Sequence, residues 1–153
     1  MPITRIDQTR FGAGDIEKGE MGGNCFQASL ASLLGLHDIS QIPDEADTFT
    51  RLCKEDKRPT SWYVLWDAYW LDVQAHLSDA FGLQLINPVS VQSTLFEHVE
   101  CLAGGLTERG LPHSVVWKNG MVVHDPHPSR SGILEPTDFT IVICNSPGHL
   151  LRK

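Results

Sequence analysis

The hydrophobic period changes along this chain, and that change limits the folds open to it. Up to residue 81 the apolar residues recur at helical spacing; beyond it they alternate or cluster in short β-rich runs. Cys25 to about Leu36 carries an apolar stripe of Phe26, Leu30, Leu33 and Leu34. Ala28, Ser29, Ala31 and Ser32 keep that helix slim enough to pack closely on a sheet, and Gly35 ends it. Pro43 to about Lys54 reads as a second helix, with Pro43 near its first turn. Ser61 can cap a third, running to about Phe81, where Leu65, Trp66, Tyr69, Trp70, Val73 and Leu77 share one spacing. Gly82 stops it. Leu83 to Ile86 and Cys101 to Thr107 read as strands, with Ser90 to about His98 as a short helix between them. His113 to Asp125 is the clearest β signal, a hairpin closing near Asn119-Gly120, and Phe139 to Cys144 is a last strand.

Helices first and strands after predict an α+β fold with an antiparallel sheet, not an alternating α/β one. At 153 residues and 41% hydrophobic, a single domain with a real core is expected over 1–153. It divides into an arm with loops (1–23), a mainly helical part (24–81) and a mainly antiparallel sheet (82–153).

The net charge of −7, with no Lys/Arg cluster, argues against nucleic acid or an anionic membrane as partner. No run approaches 18 apolar residues, and Met1-Pro2-Ile3-Thr4-Arg5 lacks the apolar core of a signal peptide. Cys25, Cys53, Cys101 and Cys144 lie far apart without C-x-x-C spacing. Free thiols in a reducing, cytoplasmic setting are expected, without structural zinc or any cofactor.

Cys25 is the most telling residue. Gly22, Gly23 and Asn24 halt the backbone, and the helix then begins with a thiol in its first turn. A helix N-terminus offers free N–H donors and partial positive charge, which favour a thiolate. Such a thiol becomes a nucleophile if a histidine reaches it; otherwise it is a small apolar residue. Cys53, Cys101 and Cys144 fall on apolar patterns and are expected to be inert core thiols.

Of seven histidines, His113 stands out, because it opens a strand whose returning partner ends in Asp125. Register decides whether the two meet. A two-residue loop, Asn119-Gly120, would pair Lys118 with Met121 and set Asp125 opposite Ser114, on the wrong face. A three-residue loop from Lys118 to Gly120 would pair Trp117 with Met121 and His113 with Asp125. One face then holds His113, Val115, Trp117, Met121, Val123 and Asp125; the other holds Ser114, Val116, Lys118, Val122 and His124. Burial favours the second register, with the Cys25 helix packed on the first face. The alternative is a surface histidine beside a surface aspartate.

The segments Gly23-Asn24-Cys25-Phe26-Gln27-Ala28 and His113-Ser114-Val115-Val116 to Val123-His124-Asp125-Pro126-His127-Pro128 resemble a little-characterised group of papain-like proteins of bacteria and their phages. The order Cys, His, Asp and the Asp-Pro step also resemble bacteriocin-leader-processing peptidases of that superfamily. The resemblance covers the first ~36 residues and about 105–145; the middle matches only in helical character. It implies a papain-like fold, a catalytic triad of Cys25, His113 and Asp125, and an oxyanion hole completed by Gln8. Gln8 stands 17 residues before Cys25, a longer spacing than usual, which an inserted loop over roughly 13–21 would explain. Otherwise Gln8 is a surface amide.

The implied chemistry is attack of the thiolate on a carbonyl and passage through an acyl-thioester. Water as acceptor makes a peptidase or amidase; an amine makes a transferase; a glutamine side chain as substrate makes a deamidase. The expected partner is therefore a peptide, a protein or another amide-containing molecule. Two other readings stand beside this one. A non-catalytic interaction module could use the same fold, and His113, His124, Asp125 and His127 could bind a metal, although His124 points away from His113. His127 and Arg130 lie on a loop that could touch substrate but reads more simply as solvated. Trp62, Trp66 and Trp70 could line a cleft, but are expected in the core.

Overall fold

The computed structural model describes residues 2–87 and 99–144. Three helices precede the sheet: α1 (Cys25–Leu33), α2 (Glu45–Lys54) and α3 (Trp62–Phe81). The strands are β1 (Leu83–Ile86), β2 (Cys101–Leu106), β3 (Pro112–Lys118), β4 (Met121–His124) and β5 (Pro136–Cys144). They form one sheet in the order β1-β5-β2-β3-β4, with every neighbouring pair antiparallel. The expected helix over Ser90 to His98 falls outside the described residues.

Capping chemistry places the helix ends. α1 stops at Leu33, three residues short of the expected end. Gly35, at φ 69°, turns the backbone left-handed there. Its N–H then bonds the Ser32 carbonyl, and the Leu36 N–H bonds that of Ala31. α2 begins at Glu45 and not at Pro43, because the Asp44 carboxylate caps it by accepting from the Ala46 N–H at 3.0 Å. Pro43 stays outside and accepts the Tyr69 hydroxyl at 2.7 Å. Ser61 caps α3 by accepting from the Val64 N–H, and Gly82 closes it, as the sequence predicts.

The main core lies between the helices and one sheet face. It joins Leu30 and Leu34 of α1's side, Tyr69, Val73 and Leu77 of α3, and Leu102 and Val116 of the sheet. A smaller core on the other face groups Cys101, Ala103, Val115 and Phe139 with the half-buried Trp117, Val122 and Ile133.

That division corrects the expected packing. α1 covers the Val116 face, and not the face of Val115 and Trp117. β3 is apolar on both sides, so alternation alone could not choose between them.

The expected register is also corrected. Lys118 pairs with Met121 and Trp117 with Val122, across a turn of Asn119 (φ 54°) and Gly120 (φ 76°). Both central residues are left-handed, which suits a two-residue hairpin turn. Val116 then pairs with His124, so Val123 is the extra residue of a β-bulge. The bulge changes the parity of everything after it. Val122 and Val123 exchange their expected faces, whereas His124 and Asp125 keep theirs. Without Val123's bulge, Asp125 would point away from His113.

A second irregularity separates Gly104 from Gly105 in the β2–β5 pairing. A Cβ at Gly105 would clash with the Glu135 carbonyl oxygen. Gly105→Ala should therefore destabilise the fold by about 3 kcal/mol or more. Urea denaturation reads this directly, and an unchanged midpoint would mean the two strands do not approach so closely.

Candidate active site

Cys25 is the first residue of α1 and is half-buried. Asn24 stands at the cap position but does not cap the helix. Its Oδ1 instead accepts from the backbone N–H groups of Thr9 and Arg10, each at 2.9 Å. Its Nδ2 donates to Thr9 Oγ1 and Gln27 Oε1. The buried carboxamide thus ties the N-terminal arm across the start of α1. The arm continues past the helix: the Ile6 N–H donates to Ser32 Oγ, and that of Gln8 to the Pro126 carbonyl. Between Gly12 and Gly23 the chain leaves and returns, closing where the Gly23 N–H meets the Gly12 carbonyl at 2.9 Å. That excursion occupies most of the stretch between Gln8 and Cys25.

His113, near the start of β3, is only 6% exposed. Its Nε2–H donates to Asp125 Oδ1 at 2.6 Å, leaving Nδ1 for the Cys25 side. Asp125 is equally buried and fully engaged. Oδ1 also accepts from the His127 N–H at 2.9 Å, and Oδ2 from the Gly132 N–H at 2.6 Å. Burial alone would lower the His113 pKa, but hydrogen bonds to Asp125 and Cys25, with their charges, outweigh it and raise it to about 9. Burial alone would raise the Asp125 pKa. The bonds from His113, His127 and Gly132 instead hold it down at about 2. A charged imidazole, facing the Cys25 side chain on one side and the Asp125 carboxylate on the other, is the state this geometry favours.

Gln8 is buried, not a surface amide. Its Nε2 donates to the Arg10 carbonyl at 2.8 Å, which fixes the amide's orientation, because a reversed amide would set two oxygens together. The second Nε2 hydrogen is not used by that bond. Oε1 is buried with no partner among the described residues, a cost normally accepted only where a side chain is held for another purpose. Gln8 lines a small cavity of about 270 Å³ together with Cys25, His113 and His127.

A larger cavity of about 510 Å³ opens on the other side of Cys25 and His113. Trp66 forms part of its wall and is 37% exposed, which corrects its expected place in the core. The buried stripe of α3 is Leu65, Tyr69, Val73 and Leu77, and Trp66 lies one position off it, edge-on to Phe26. Trp62 and Trp70 pack at core margins, as expected.

The remaining candidates sort by environment. All four cysteines are free. Cys101 is buried, and burial pushes its thiol up to about 11. Cys53 is half-buried. Cys144, expected in the core, is exposed near the end of the last strand. His124 turns to the opposite face, where its Nε2–H donates to the Ile6 carbonyl at 2.8 Å. Among the described residues no three metal-ligating side chains converge. His127 and Arg130 are not merely solvated. The His127 ring meets those of His113 and Phe11 edge-on. Arg130 bonds the Asp7 carboxylate and the Asp125 carbonyl, bracing the loop that carries Asp125. Sequence reasoning missed Asn24's side chain, because a backbone-breaking role seemed sufficient for it. No helix among the described residues is long and apolar enough to cross a membrane. Comparison with protein-family models, curated proteins and solved structures finds no match to this chain.

Proposed function

We propose that this protein is a papain-like cysteine hydrolase, a peptidase or amidase acting through Cys25, His113 and Asp125. The observation that carries the reading is the buried His113–Asp125 hydrogen bond of 2.6 Å, on an imidazole that shares a cavity wall with Cys25 and whose pKa the Cys25 side chain helps to raise. A buried pair used only for stability would have no reason to present its second ring nitrogen to a thiol at a helix N-terminus.

In this mechanism His113 takes the Cys25 proton, and Asp125 steadies the imidazolium and its orientation. The thiolate attacks an amide carbonyl carbon, and the carbonyl π pair moves to oxygen. The Cys25 N–H and the second Nε2 hydrogen of Gln8 receive that oxyanion. Collapse of the tetrahedral intermediate breaks the C–N bond, and His113 returns the proton to the leaving amine. Water, deprotonated by His113, then cleaves the thioester and regenerates the thiol.

An epoxysuccinyl dipeptide amide tests the reading without knowledge of the natural substrate. It is expected to add one equivalent, at Cys25, located by peptide mass spectrometry. Modification of the exposed Cys144 ahead of Cys25, or no adduct at all, would refute it.

A further inference from the structure

The two cavities meeting at Cys25 and His113 differ in charge. The smaller is lined by Arg109 and, among the described residues, by no carboxylate. The larger is lined by Glu45, from the first turn of α2, and Asp138, from β5. Arg10 also lines it, but its guanidinium is already bonded to Asp44 at 2.7 Å and to the Gly22 carbonyl. Glu45 has no hydrogen bond or ion pair among the described residues, although it is half-buried and its pKa is raised, chiefly by burial. Asp138 lies directly over Gly104, where an added Cβ would come within 2.5 Å of its Oδ1. Its one side-chain hydrogen bond among the described residues is from the neighbouring Thr137 hydroxyl at 3.1 Å. Among the described residues neither carboxylate is hydrogen-bonded to a cation; Arg10, held by Asp44, acts on Glu45 only through its charge, and both carboxylates line the cavity beside the half-exposed indole of Trp66.

Resting on the hydrolase reading, we propose that the larger cavity binds a lysine or arginine side chain of the substrate, next to the bond that Cys25 attacks. Glu45 and Asp138 supply the counter-charge, and Trp66 supplies an aromatic wall for the alkyl stem and cation. A carboxylate of the substrate is repelled from this side and tolerated on the Arg109 side. Glu45 and Asp138 come from elements separated by most of the chain, and no spacing rule links them.

Peptidyl acyloxymethyl ketones that differ only in the side chain beside the reactive carbonyl measure the preference. Attack by Cys25 forms a C–S bond at the methylene and expels the carboxylate, so each probe reports one alkylation rate. Lysine and arginine probes are expected to react about tenfold or more faster than leucine, and glutamate slowest. The basic-to-leucine ratio should fall in both Glu45→Gln and Asp138→Asn, and approach one in the double variant. Two single variants at distant positions guard against one of them misfolding, and the ratio within each variant is insensitive to the fraction folded. Equal rates for the four probes, or a basic preference that survives the double variant, would overturn the proposal. Iodoacetamide separates the two levels. His113-dependent alkylation without a side-chain preference sinks only the basic-substrate inference; loss of His113 dependence sinks the hydrolase reading and this inference with it.

Discussion

In a His113→Ala variant, alkylation of Cys25 by iodoacetamide at pH 6 should slow by about 10- to 100-fold. His113, with its pKa raised to about 9, carries a proton at pH 6 and offers a positive charge to the sulfur. A free thiol titrating near ~8.5 is less than about 1% ionised at that pH, and an adjacent positive charge favours the reactive anion. The lower intrinsic nucleophilicity of a stabilised thiolate takes back part of the gain, hence the range. The difference should narrow as the pH approaches 9, where His113 loses its proton. Cys144 is exposed and serves as an internal standard, since nothing connects it to His113, and buried Cys101 should stay unmodified in the folded protein. Peptide mass spectrometry over a time course gives the separate rates. Equal reactivity of Cys25 and Cys144 in the wild type would remove the case for an activated thiol.

Asp125→Ala should cost about 3–5 kcal/mol of folding stability, because it leaves a buried histidine without its counter-charge. It also strands the His127 and Gly132 N–H groups, which both bond that carboxylate. Asp125→Asn should cost less, about 1–3 kcal/mol: the amide can still accept from His113, but its NH2 then faces the Gly132 N–H. Urea denaturation at pH 7 ranks the three proteins, and equal midpoints would mean that the pair is not held as described. The pH dependence follows from the directions of the two shifts. His113's raised pKa gives stability that is complete below about 6.5 and lost as the pH rises through about 9. Asp125's depressed pKa gives stability present above about 4 and lost as the pH falls through about 2. The gap between wild type and Asp125→Ala should thus be widest between these limits and shrink on both sides.

Much of this architecture was legible locally. Ser61 and Gly82 bracket α3 because cap geometry is a property of a few consecutive residues. The switch from helical spacing to alternation announced helices followed by an antiparallel sheet, since each element must bury one side. Cys25, His113 and Asp125 were visible as chemistry-bearing residues. The sequence reading brought His113 and Asp125 together through a three-residue loop; the fold does so through a two-residue turn and a bulge at Val123. Both routes change the parity by one residue, so His113 and Asp125 share a face either way, although the ladder sets Val116 opposite His124 and not opposite Val122.

What the sequence by itself determined is therefore the order of helices and strands among the described residues, the ends of α3 and the residues able to do chemistry, all of them consequences of short-range periodicity and capping. Tertiary structure alone decided the rest. β3 is apolar on both faces, so only packing could choose which one α1 covers. Gln8 shares a cavity with Cys25, and Asn24 holds the neighbouring arm there by gripping the backbone of Thr9 and Arg10, a contact across some fifteen residues that no local pattern encodes. Glu45, Trp66 and Asp138 share one cavity with Cys25 only because α2, α3 and β5 converge beside the N-terminus of α1. Such convergence depends on how apolar faces and backbone hydrogen bonds are satisfied throughout the fold, and single elements do not carry that information.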